Sequence, residues 1–331
     1  MAREVQGSET PMTADPATGN RKLQVIGKDV LADGVVAVRL ADPDGNPVPA
    51  WDPGSHIDLV IDESTVRQYS LCGDVEDRTC LTVAVLREEN GRGGSRWVHD
   101  SLQMGDLVGI GGPRNNFRFD TTSDCLFVAG GIGITPLLPM LRAADAAGVN
   151  WRLLYGGRTR SSMAFADGLA TGHPDRVEIR PQDEFGLLDL AGTLDALPEG
   201  SSVYCCGPEP LLQAIEDACR ARIGITLHVE RFAAKERSAD AVDGTFEVEL
   251  ARSGVGITVG TDESLLDAVL RSGVDVPFSC REGTCGTCEV TVMHGEPDHR
   301  DSVLTEGEQA ANDCMMICVS RSRTPKLVLE L

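Results

Sequence analysis

Four cysteines near the C-terminus carry the sharpest chemistry in the chain. Cys280, Cys285 and Cys288 stand in SCREGTCGTCEV at C-x4-C-x2-C spacing, and Cys318 follows in MMICVSR. That pattern of thiolates suits a plant-type [2Fe-2S] cluster. Gly283, Thr284, Gly286 and Thr287 are small enough to let backbone N–H groups approach the sulfurs. A structural zinc site normally presents paired CxxC or CxxH hooks, and here one CxxC stands beside a four-residue loop. Cys314 competes with Cys318 for the fourth position, and spacing alone decides for neither. Of the eleven cysteines, others such as Cys72, Cys80, Cys125 and Cys219 read as small buried apolar residues.

Three further segments hold residues suited to phosphate-bearing cofactors. In RQYSL, a strand places Arg67 and Tyr69 on one face, with Ser70 next to them. In GRGGSRWVHDSL, Gly93, Gly94 and Ser95 lead into a helix whose first N–H groups favour an anion. In AGGIGITP, Gly131 and Gly133 follow an apolar strand and open a helix through Thr135 and Pro136, with Pro136 where the usual fingerprint has its third glycine. About half of such turns merely pack tightly, so context must support the reading. YCCGPEPLL supplies it: a strand ends at Cys205 and Cys206, and Gly207–Pro208 turn the chain into a helix. Ligands bind at the ends of parallel strands. Alternation makes one of the two cysteines core, and Cys206, nearest the turn, is the functional choice.

These residues need three kinds of element to position them, and 331 residues exceed what one core usually organises. Over 21–120, short runs such as LQVIGKDV, GVVAVRL, HIDLVI and LTVAVL, cut by Gly, Pro and Asp turns, predict an antiparallel β-barrel. Over 121–232, buried strands such as CLFVAG, WRLLYGG and SSVYCCG alternate with helices at Thr135 to Ala147 and Glu209 to Ile223, predicting a parallel α/β domain. AAKERSADAVDG, within 233–244, reads as a linker. Over 245–331, strands TFEVELA, GITVG, CEVTVM and KLVLEL surround a helix at Ser264 to Ser272, predicting a small α+β domain.

Residues 1–20 are polar and read as a disordered tail without a signal peptide. The apolar stretch from Leu126 to Leu141 is broken by glycines and prolines and is too short to span a bilayer. A cytoplasmic protein without a membrane partner is expected. Thirty Lys and Arg against fifty-one Asp and Glu leave a net charge of −21, which repels nucleic acid. Residues 241–331 alone hold seven basic and sixteen acidic side chains, so a basic protein partner fits better.

Taken in order, RQYSL, GRGGS, AGGIGITP, YCCGP and CREGTCGTC with a late cysteine resemble the phthalate dioxygenase reductase family, within the ferredoxin-NADP reductase superfamily. The resemblance covers nearly everything from Leu23 onward. It implies an FMN barrel, an NADH-binding α/β domain and a C-terminal β-grasp ferredoxin domain, in a monomer serving an oxygenase with a Rieske centre. Carried onto this chain, Arg67, Tyr69, Ser70, Gly93, Gly94 and Ser95 would hold FMN. Gly131, Gly133, Thr135, Pro136, Arg158, Gly207 and Pro208 would hold the dinucleotide, and Phe232 would cover the flavin. Tyr69, Ser70 and Cys206 would act where hydride passes. Cys280, Cys285, Cys288 and Cys318 would hold the cluster.

The implied chemistry is consistent in its electron count. NADH gives two electrons as one hydride, a [2Fe-2S] cluster accepts one, and a flavin divides the pair. The alternatives are a reductase feeding a di-iron monooxygenase, and a redox sensor whose cluster state controls binding rather than turnover.

Overall fold

The computed structural model describes residues 21–62, 65–234 and 243–331. The tail expected over 1–20 and residues 235–242 of the expected linker lie outside the described residues.

Alternating apolar side chains build the first layer. Strands β1 (Arg21–Ala32), β2 (Val35–Ala41), β3 (His56–Val60), β4 (Val66–Ser70), β5 (Leu81–Leu86) and β6 (Leu107–Arg114) pair antiparallel in the order β4-β3-β6-β1-β2-β5. A Leu71–Val83 bridge, with Cys72 N donating to Thr82 O at 2.9 Å, ties the chain after β4 to β5 and closes the barrel. Leu23, Leu40, Ile57, Leu59 and Leu81 fill its interior, each burial stabilising by about 1.5–3 kcal/mol. Helix α1 (Gly94–Asp100) plugs one side with Val98.

The next layer is a parallel sheet. It contains β7 (Cys125–Gly130), β8 (Trp151–Gly157), β9 (Val177–Pro181), β10 (Ser202–Cys206) and β11 (Thr226–Glu230), in the order β11-β10-β7-β8-β9. All six residues of β7 are buried, as a strand covered on both faces requires. Helix α2 (Ile134–Ala147) packs on the face holding Phe127, Tyr155, Tyr204 and Cys206. Its other side meets Val35, Cys72 and Ala84 of the barrel region, so α2 is apolar nearly all round. That position explains the apolar stretch at Leu126 to Leu141. Short helices α3 (Ala166–Gly172), α4 (Gln182–Phe185) and α5 (Leu190–Asp195) follow, and then α6 (Glu209–Arg220). Helix α6 starts after Pro208 and presents Leu212, Ile215 and Cys219 to the opposite face of the sheet.

The last layer comprises β12 (Phe246–Leu250), β13 (Val255–Val259), α7 (Leu265–Arg271), β14 (Glu289–His294), β15 (Pro297–Asp298), α8 (Glu306–Ala311), β16 (Cys314–Met316), β17 (Arg321–Ser322) and β18 (Lys326–Leu329). Its main sheet runs β13-β12-β18-β14-β16, with β12 and β18 parallel. Helix α7 buries Leu265, Leu266, Ala268 and Val269, and its N-cap Ser264 accepts from Asp267 N at 3.0 Å. The predicted helix is therefore present at the same place. Strands β11 and β16, the β15–β17 pair and helix α8 were not among the expected elements. Among the described residues, no helix is long and apolar enough to cross a membrane.

Candidate functional site

The cysteine loop precedes β14 and is shaped by backbone that few residues adopt. Arg281, Gly283 and Gly286 have φ of 58°, 69° and 73°. At Gly283 a Cβ would come within 2.6 Å of Val319 Cγ2 and 3.0 Å of Asp301 Cα, so conformation and space both demand glycine. The thiols form a string: Cys280 interacts with Cys285 and Cys318, and Cys318 with Cys288. Glu282 N donates to Cys280 Sγ at 3.3 Å, and Cys285 Sγ lies 3.2 Å from Thr287 Oγ1. Among the described residues, no three His, Cys, Asp or Glu side chains close around one point as ligands of a single ion. A string of four thiols with backbone donors fits a two-iron core. Cys314 takes no part in it; burial, then Glu289 and Asp313, push its thiol up to about 11.

On the barrel, β4 presents Arg67, Tyr69 and the buried Ser70. The Arg67 stem crosses Gly94, where a Cβ would overlap it, and Arg67 Nη2 donates to Arg92 O at 3.0 Å. Burial, then the like charge of Arg92, lower the Arg67 pKa. Two guanidinium groups held together beside the Gly93–Gly94 turn fit a phosphate. Ser95 Oγ accepts from Glu88 N at 3.0 Å, fixing the start of α1. Burial pushes the Tyr69 phenol up to about 12, so it stays protonated at neutral pH.

At the strand ends of the parallel sheet, Gly131–Gly133 form a single 3-10 turn ahead of α2. A Cβ on Gly133 would overlap the Cys206 carbonyl, so this glycine lets the two strand-end turns interlock. Thr135 and Pro136 are buried, and Thr135 Oγ1 donates to Ile132 O at 2.9 Å; they shape the turn rather than reach out of it. Arg158 is exposed just beyond β8, and Phe232 is 45% exposed just beyond β11. Cys206 is fully buried, and burial holds its thiol well above the ordinary range. Cys205 is buried on the opposite face, so neither thiol lines open solvent.

One residue absent from the sequence reading joins this group. Glu230 is the register partner of Cys206 across β10 and β11. Glu230 is partly exposed but its Oε2 is buried; Ser70 hydrogen-bonds the carboxyl, and burial pushes it up to about 8. Its Oε2 has no partner. Ser70, Cys206 and Glu230 thus meet from β4, β10 and β11, and an orphaned acceptor there fits a polar ligand edge. The only sequence signal was an acidic residue ending an apolar strand, in HVERF. A cavity of about 820 Å³ between β8, β9 and α5 contains none of these residues.

The cysteine loop abuts the barrel. Ser279 Oγ donates to Asp58 Oδ2 at 2.8 Å, and Glu282 pairs with Arg92, the neighbour of Arg67. The loop and the β4 face therefore lie side by side.

Comparison with known proteins accords with this arrangement. Residues 248–323 match the 2Fe-2S iron-sulfur cluster binding domain family. Phenoxybenzoate dioxygenase subunit beta of Ectopseudomonas oleovorans is 44% identical over 302 residues, covering 91% of this chain and 94% of its own length. An intact type IV self-sufficient cytochrome P450 monooxygenase is 42% identical over 98% of the chain with a TM-score of 0.88, and the chain spans 43% of that protein. A solved phthalate dioxygenase reductase, described as a modular structure for electron transfer from pyridine nucleotides to [2Fe-2S], is 34% identical with a TM-score of 0.69, covering 96% of this chain and 100% of that one. On identity sustained along nearly its whole length, the chain belongs to the phthalate dioxygenase reductase family of oxidoreductases, with a 2Fe-2S iron-sulfur cluster binding domain at its C-terminal end.

Proposed function

We propose that the chain takes hydride from NADH onto FMN and delivers the electrons singly, through the cluster, to an oxygenase bearing a Rieske centre. FMN, when bound, supplies the change from two-electron to one-electron transfer. The observation that carries the reading is the contact of the cysteine loop with the barrel strands next to Arg67. Arg67, Tyr69, Ser70, Gly93, Gly94 and Ser95 hold the flavin in this reading, and Arg92 adds positive charge. Gly131, Gly133, Arg158, Gly207 and Pro208 cradle the dinucleotide, with Thr135 and Pro136 shaping the turn. Cys206 and Glu230 lie beneath the strand ends where the nicotinamide rests, and Phe232 covers the flavin from the exposed side. Cys280, Cys285, Cys288 and Cys318 hold the cluster. No side chain has to move a proton for hydride transfer; orientation and exclusion of water suffice.

NADH should drive fast cytochrome c reduction by the purified protein, with a rhombic [2Fe-2S] electron paramagnetic resonance signal on reduction. Absence of NADH oxidation in protein loaded with FMN and two irons per chain would end the proposal. A cytochrome P450 is the second reading of the partner, favoured by the 42% identity to the self-sufficient monooxygenase. Reduction of a purified Rieske oxygenase against a purified P450 by the same preparation separates the two. The acidic C-terminal layer suits a basic docking patch on either.

A further inference from the structure

The contact between the cysteine loop and the barrel is organised by one buried carboxylate. Asp58 on β3 is 3% exposed. It accepts from Gln68 Nε2 at 2.7 Å and from Ser279 Oγ at 2.8 Å, and it pairs with Arg114. Gln68 Nε2 also donates to Ser279 Oγ at 3.2 Å. Gly111 leaves the space, since a Cβ there would lie 2.8 Å from Asp58 Oδ2. Ser279 is the residue directly before Cys280. A buried carboxylate persists only where donors match its oxygens, and here one of three comes from the far side of the contact. The companion Arg92–Glu282 pair is 54% and 29% exposed, and such surface pairs hold geometry weakly.

Contacts between folded units allow relative motion unless something fixes them. We infer that Asp58 is a positioning residue: through Ser279 it fixes Cys280 against the barrel and thereby sets the rate at which an electron crosses from flavin to cluster. The inference rests on the proposed flavin-to-cluster route.

Asp58→Asn, Ser279→Ala and the double variant, each as full-length protein with FMN and iron content measured, test it by stopped-flow mixing with NADH. Flavin reduction and ferricyanide turnover should stay at the wild-type rate. Bleaching of the cluster bands should slow by about tenfold or more, as small misplacements of reacting groups do. The double variant should be no slower than Asp58→Asn. A merely structural role would lower the melting temperature and leave cluster reduction at its wild-type rate, which overturns the inference, as would additive slowing in the double variant. If Asp58→Asn does not fold, Ser279→Ala decides alone: an unaltered rate overturns the inference and a slowed one supports it. Failure of the underlying route looks different, because the wild-type cluster itself would then not be reduced by NADH.

Discussion

The cysteine loop and the junction of β4, β10 and β11 are both small polar sites, assembled in opposite ways. In the loop, three of four sulfurs fall between residues 280 and 288, and local backbone with positive φ turns them inward. At the junction, Ser70, Cys206 and Glu230 come from three strands of two sheets, and only strand register together with the packing of the barrel on the parallel sheet brings them together. A site made from one loop is constrained by spacing. A site made by strand register depends on which strands become neighbours, and its members carry no mutual signal along the chain. The two sites should therefore fail differently when disturbed.

The largest effect belongs to the loop. Cys285→Ser should abolish the electron paramagnetic resonance signal and lower iron below two per chain, because a hydroxyl does not replace a thiolate as an iron ligand. Cytochrome c reduction should collapse while ferricyanide reduction continues. Loss of both activities together would break the comparison, by showing that the barrel and parallel sheet depend on the cluster for their own order.

Next in size is Glu230→Gln at the junction, read by its pH dependence. Burial holds the Glu230 pKa at about 8 against an ordinary 4.5. The folded chain keeps this proton over a window where the unfolded chain has lost it. Its stability is therefore fully present below pH 4.5 and declines as pH rises toward about 8. The slope approaches about 1.4 kcal/mol per pH unit, several kcal/mol in all. Glu230→Gln should remove that decline, so urea denaturation at pH 5 and at pH 8.5 should differ less in the variant. The same decline in both proteins would place the titration elsewhere.

How much was legible follows the same division. The first three cysteines, the glycine turn before α2 and β7 with its unbroken apolar run each sit within a single segment, and β7 and α2 appear as elements where the pattern places them. The barrel was legible because its strands alternate, and α2 because a buried helix is apolar on more than one side. Glu230 was not, since an acidic strand end reads as solvent-facing until β11 is known to lie beside β10. Helix α8 had a readable start, because Thr305 and Glu308 form a capping box, but its face has no buried residue to mark a helical period. The β15–β17 pair is two residues long on each side and exists only through tertiary pairing.

Arg67→Ala sharpens the comparison at an intermediate size, because Arg67 belongs to neither extreme: it sits in a legible motif, and Gly94 and Arg92 complete its surroundings from elsewhere. Loss of one charge-assisted phosphate contact costs about 1.5–3 kcal/mol. The FMN dissociation constant measured by ultrafiltration should rise about tenfold to a hundredfold in the variant. Release of FAD on heating the wild type would refute the assumed cofactor.

The smallest effect separates the two cysteines that spacing could not rank. Cys318 interacts with Cys280 and Cys288, whereas Cys314 stands at the start of β16, half-buried beside Glu289 and Asp313. Register explains the separation, because β16 pairs antiparallel with β14 and places Cys314 opposite Thr291, away from the loop that precedes β14. Cys314→Ser should keep two irons per chain and an unshifted electron paramagnetic resonance spectrum. The cost in stability should stay within about 1 kcal/mol, since a half-buried thiol contributes little packing. Cys318→Ser should instead lose the cluster. If Cys314→Ser alone lost it, the fourth ligand would be set by the strand rather than by the loop, and the two sites would be built on one principle after all.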